Sequence, residues 1–162
     1  MLTNLARSLD SITDPKLVRV HDYWQQARAG KPMPARNDID PLDLRYCLGW
    51  VCLVDVVREP DRHRFRFRLD GSHIAHLTGM DLTGRHADEL EDPPYRDLVT
   101  AVYDRVVATK APVFIANIAH WRDRGYRVEQ VAMPLSNDGE TVTGLMDVTL
   151  PVLLPHSGAT PN

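Results

Sequence analysis

The residues best suited to chemistry fall in small, separated groups. His73 and His76 lie three positions apart, so on a helix they share a face and could offer two imidazoles to a metal. The remaining ligands would have to come from His86, His120, Asp81 or Asp88, and no spacing in the chain brings these together. HExxH is absent, and no metal is expected. Glu129, Asp147 and Tyr126 are acid–base candidates of the kind that small isomerases and hydratases hold in a buried pocket. Nothing in the spacing selects a pair among them, and there is no GxSxG elbow, Cys–His signature or Walker motif. No catalytic residue is therefore assigned, and a non-enzymatic protein is expected.

The stretch FRFRLDGSHIAHLTGMDLTGR (65–85) carries the strongest local pattern. Arg64, Arg66 and Arg68 alternate with Phe65, Phe67 and Leu69, so a strand here has one cationic and one apolar face. Asp38, Asp40 and Asp43 are candidates to neutralise that arginine row, within the chain or from a neighbouring subunit. Gly71, Gly79 and Gly84 lack the lysine and the spacing of a phosphate loop and read as sharp turns.

The elements that must position these groups follow from periodicity and turn chemistry. Asp14-Pro15 starts a helix, and Leu17, Val20, Trp24 and Ala27 recur at helical spacing until Gly30, giving a helix over 15–29. A proline-punctuated connector follows, with one helical turn after Asp40-Pro41. Strands are predicted over 50–58 and 64–69, joined as a hairpin by EPDRH. Short helices are expected in GSHIAHLTG and RHADELED, then a longer helix over about 95–109. Three strands close the pattern, at 112–121, 126–136 and 141–154, with turns at RDRG and NDG. This order describes an α+β domain with one antiparallel sheet. The expected organisation is an N-terminal extension (1–13), a single domain (14–154, with a flanking helix at 14–30 and a core over about 50–152) and a flexible tail (155–162).

Composition narrows the class. Apolar residues make up 43% and charged residues 25%, as in an ordinary globular domain. The net charge of −3 provides no basic field for nucleic acid. Cys47 and Cys52 both sit in apolar runs and read as small buried hydrophobes. There is no 18-residue apolar run to cross a membrane. The segment MLTNLARSLDSITD lacks the features of a secretory signal, so a cytoplasmic location is expected.

The element order resembles the PAS fold: two strands, short helices, a longer connecting helix and three strands, forming a five-stranded antiparallel sheet with short helices on one face. The phrases HDYWQQARAGKPMPARNDIDPLDLRYCLGWVCLVDV, FRFRLDGSHIAHLTGMDLTGR and AMPLSNDGETVTGLM are similar to those of small stand-alone bacterial PAS-type proteins, over roughly residues 15–150. The resemblance implies a sensory or regulatory module in signal transduction that binds a small organic ligand, a protein partner, or both. A pure interaction or dimerisation module with a filled core is the alternative, and an isomerase- or hydratase-type enzyme the more distant one. It also implies a homodimer acting through an unidentified signalling protein. The pocket candidates on the short helices and inner sheet are Phe67, His73, His76, Leu77, Tyr103, Phe114, Met133 and Met146. Tyr23 and Trp24 on the flanking helix are the interface candidates. Haem-binding members of the family use a histidine on or near the connecting helix, and 95–109 has none, so haem is not expected. Flavin-based light sensors carry a cysteine in an Asn-Cys-Arg-Phe-Leu-type helix. Here both cysteines lie before or in the first predicted strand, so flavin is not expected either.

Overall fold

Asp14 caps helix α1 (Pro15–Ala27): its carboxylate accepts the Lys16 amide at 2.9 Å, and Pro15 fills the first turn, where no amide donor is needed. The computed structural model describes residues 6–155. The strands are β1 (Ala6–Arg7), β2 (Val51–Arg58), β3 (His63–Leu69), β4 (Val113–Trp121), β5 (Arg124–Leu135) and β6 (Gly144–Leu153). Helices α2 (Ser72–Thr78) and α3 (Pro93–Thr109) separate the β2–β3 hairpin from the last three strands. The strands pair antiparallel in one sheet, in the order β1-β4-β5-β6-β2-β3.

Five of these strands are those the sequence predicts. The sixth, β1, is only two residues long and pairs Ala6 with Ile115 and Arg7 with Phe114 at the sheet edge. It comes from the segment read as an extension, and two residues are too few to show alternation. All but Pro155 of the expected tail lies outside the described residues.

Both faces of the sheet are covered. On one, Leu17, Val20 and Trp24 of α1 pack on Phe114, Val131, Met133, Met146 and Val148. On the other, Ile74 of α2 and Val102, Tyr103 and Val106 of α3 pack over Cys52, Val54, Phe65, Phe67, Ala132 and Leu145. Successive strand side chains point to opposite faces, so Ala132 and Met133 belong to different cores.

Several boundaries shift for local reasons. RHADELED tightens into a single 3₁₀ turn, Ala87–Glu89, because the Glu89 carboxylate folds back to accept the His86 amide. NDG is not a two-residue hairpin: Asp138 Oδ1 accepts the Ser136 hydroxyl and the Glu140 and Thr141 amides, and β6 begins only at Gly144. In RDRG the positive φ angles fall on Arg122 (50°) and Asp123 (61°), not on Gly125. The β2–β3 register slips between Leu53 and Val54, which turns Leu69 out of the apolar face and leaves it 41% exposed.

Glu129 fastens the N-terminal segment to the sheet. Its carboxylate accepts the Thr13 amide at 3.0 Å, the Thr13 hydroxyl at 2.6 Å and the Asp14 amide at 2.8 Å. Burial pushes the Glu129 carboxyl up, but these donors outweigh it and hold it below its ordinary value. Glu129→Ala is expected to cost about 1–3 kcal/mol in urea unfolding at neutral pH, because it strands these donors. Hydrogen exchange should locate the loss at Thr13, Asp14 and the first turn of α1.

Candidate functional site

A cavity of ≈ 240 Å³ lies between the sheet and the α2–α3 side. Its walls are mainly apolar and aromatic, including Phe67, Ile74, Leu82, Tyr95, Tyr103 and Trp121. Ile74 and Thr78, one helical turn apart, present the inner face of α2 to it. The entry to α2 is fixed by space: a Cβ on Gly71 would come within 2.4 Å of the Gly49 carbonyl oxygen. Gly79 ends α2 in the left-handed region at φ 82°.

Two pairs of polar groups at the cavity are linked, Tyr103 with Asp147 and Cys52 with Asp70. Asp147 on β6 is the register partner of Cys52 on β2 and of Ala132 on β5, so strand geometry sets all three on the same face. Tyr103 donates its hydroxyl to Asp147 Oδ2 at 2.6 Å, and Gln130 Nε2 donates to the same oxygen at 2.6 Å. Asp147 Oδ1 is buried and has no hydrogen-bond partner. Burial raises the Asp147 carboxyl to about 6, opposed by the Tyr103 and Gln130 donors and assisted by the nearby Asp70 charge.

Asp70 forms the second polar point. It accepts the Leu82 amide at 3.0 Å and the Cys52 thiol at 3.2 Å. Burial raises Asp70, and raises the Cys52 thiol and the Tyr103 phenol well above their ordinary values, so both of the latter remain protonated donors.

The structure distributes the expected site residues unevenly. Phe67 and Tyr103 line the cavity. His73 and His76 are not among its lining residues, because α2 turns Ile74 and Thr78 inward instead. His73 lies against the Trp50 ring, with centroids 5.0 Å apart. Leu77 is half-buried and also lies off the cavity. Phe114, Met133 and Met146 are on the opposite sheet face, beneath α1, by the parity of their strands. Of the acid–base candidates only Asp147 reaches the cavity. Glu129 holds Thr13, and Tyr126 packs on Trp121 at 5.5 Å between ring centroids.

The flanking helix and the arginine row have internal partners. Trp24 is 1% exposed and donates its indole N–H to the Pro134 carbonyl at 2.9 Å, so it is a core residue unavailable to a second chain. The Tyr23 hydroxyl accepts the Asp40 amide at 2.8 Å. Arg64 forks onto Asp88 with two 2.8 Å contacts, Arg68 meets Asp55 at 2.9 Å, and Arg66 donates to the Gly84 carbonyl. Asp38 pairs instead with Lys31, and Asp40 caps the Leu42 amide.

Asp70, Tyr95 and Trp121 escaped the sequence reading as cavity residues. The available signal was acidic: Asp147 stands inside the apolar strand GLMDVTLPVL, and a carboxylate in such a run is buried for a reason. No three His, Cys, Asp or Glu side chains come together as a metal site among the described residues. No helix among them is long and apolar enough to cross a membrane.

An antiparallel sheet covered on one face by short helices and a connecting helix, with a cavity beneath them, is the architecture of the PAS class of domains. The model of the PAS domain family matches residues 12–148, and the chain belongs to that family. PAS domains are typically sensory signalling modules. No curated protein matches the chain. Solved structures do. A light-oxygen-voltage domain studied with a flavin analogue is 14% identical, over 63% of this chain and 76% of that one, with a TM-score of 0.46. VqmA bound to DPO is 14% identical over 62% and 52%, with a TM-score of 0.47. An RNA-binding light-oxygen-voltage receptor is 20% identical over 66% and 31%, with a TM-score of 0.45. At such identities the likeness concerns the fold alone.

Proposed function

We propose that this chain is a sensory or regulatory module whose cavity takes up a small organic ligand without transforming it. One observation carries the reading: the buried Asp147, whose Oδ1 has no hydrogen-bond partner, is a lining residue of an apolar-walled cavity of ≈ 240 Å³. Buried polar atoms are nearly always satisfied, and a mostly apolar pocket with a few fixed polar anchors is how small-molecule sites are built. A pure interaction module with a filled core would need neither. A ligand signals only if it binds one arrangement of α2 and the segment up to α3 better than another, and a protein partner or second copy then reads the change.

The lining does not fit the two cofactors best known from this fold. A flavin phosphate would meet Asp70, Glu91, Asp92 and Asp147 and no arginine, lysine or histidine among the lining residues. Haem would find no histidine there, and the Cys52 thiol is protonated and donated to Asp70.

Native mass spectrometry of gently purified protein is expected to show the chain with one small molecule, released intact on denaturation. A bare chain mass, with no thermal shift from any compound of a small-molecule library, overturns the reading. A visible flavin spectrum overturns the exclusion of flavin. The raised Asp147 carboxyl also supports a second reading, a general base of an isomerase-type enzyme. Recovery of the bound compound unchanged after prolonged incubation sinks it.

A further inference from the structure

We propose that the ligand is a small organic cation, a protonated amine on an apolar or aromatic body, whose N–H is received by Asp147 Oδ1. This inference rests on the ligand-binding reading and names the chemistry of that site. The charged residues among the cavity's lining are all acidic: Asp70, Glu91, Asp92 and Asp147. An anion is repelled by all four. The donors nearest Asp147 are committed, since the Tyr103 hydroxyl and Gln130 amide both serve Asp147 Oδ2 and the Cys52 thiol serves Asp70. A neutral acceptor is left with the Tyr95 and Thr149 hydroxyls and the Trp121 indole N–H, which give Asp147 Oδ1 no partner. Asp147 is a lining residue only 3% exposed, and its Oδ1 has no donor. A charged donor suits a buried carboxylate better than a neutral one, because it offsets the desolvation of that carboxylate.

The walls fit the rest of such a molecule. Phe67, Tyr95, Tyr103 and Trp121 provide aromatic surface, which attracts a cation over its face and packs an apolar body. The ≈ 240 Å³ volume lies below the roughly 300–1,000 Å³ of drug-sized sites, which limits the ligand to about one ring with a short amine arm. Glu91 and Asp92, at the start of α3, add negative charge that draws a cation toward the cavity.

The test uses the intact wild-type chain and four matched probes: phenethylamine, phenethyl alcohol, phenylpropionate and phenethyltrimethylammonium. Calorimetric titration is expected to show the amine binding about tenfold or more tighter than the alcohol, and no binding of the carboxylate. The quaternary ammonium, which has charge but no N–H, should fall below the amine. Asp147→Asn should weaken the amine about tenfold or more and the alcohol by clearly less, so that the gap between the two closes. If that variant does not fold, the wild-type comparison of amine with alcohol decides the matter alone. Equal affinity for amine and alcohol overturns the cation while ligand binding stands. Silence from all four probes, together with a bare chain in native mass spectrometry, overturns both.

Discussion

Replacing Trp24 with alanine is expected to lower stability by about 3–5 kcal/mol, at the top of the range for truncating a single buried side chain. The ring is 1% exposed at the centre of the contact between α1 and the sheet. His21 stacks beside it with centroids 6.4 Å apart, and the Arg28 guanidinium lies 5.3 Å from the ring centroid. Truncation opens a cavity that rigid strands cannot close, and it also strands the Pro134 carbonyl, which accepts the indole N–H. Trp24→Phe keeps most of the apolar volume and loses the donor, so it should cost about 1–3 kcal/mol. Urea unfolding measures both changes, and size-exclusion chromatography of the folded Trp24→Phe variant supplies the contrast. An interface role predicts a changed oligomeric state with little change in stability, whereas a core role predicts the reverse.

Trp24 also shows where sequence reading works. Its spacing from Leu17 and Val20 marks the buried stripe of α1, and Asp14-Pro15 marks the start. The same kind of signal makes β3 legible, because arginines alternate with apolar residues and assign each to a face. The signal fails on β5 and β6. These strands are covered on both sides, so their buried stretches are nearly continuously apolar and carry little polar marking to fix parity. Met133 and Met146 could have faced either core, and they face α1. On α2 the histidines drew attention as chemistry, while Ile74 and Thr78 set the orientation. The one legible mark on β6 was Asp147 itself: an isolated acid inside an apolar strand fixes which neighbours share its face.

That acid should also dominate the pH response. In the folded chain its carboxyl is raised from 3.8 to about 6, chiefly by burial, so the native state holds a proton that the unfolded chain releases earlier. Stability from this group is therefore fully present below pH 3.8 and is lost as pH rises through about 6. The shift corresponds to about 3 kcal/mol. Asp147→Asn cannot ionise and should not show this loss. The variant's amide nitrogen or oxygen will sit where Oδ1 lacks a partner, but that penalty does not depend on pH. The difference in unfolding free energy, variant minus wild type, should therefore rise by about 3 kcal/mol between pH 3 and pH 7, whatever its starting value. Taking the difference largely removes opposing groups such as Glu129 and Asp138, whose carboxyls are held low by hydrogen bonds and whose contributions grow with pH. Asp70, raised like Asp147 and coupled to it, remains in both proteins. A flat difference across this range would mean that the Asp147 carboxylate is solvated in the folded chain, and the cavity would lose its anchor. A bound protonated amine should flatten the wild-type loss in the same way, because a cation at Oδ1 stabilises the ionised carboxylate and draws its pKa back toward the ordinary value.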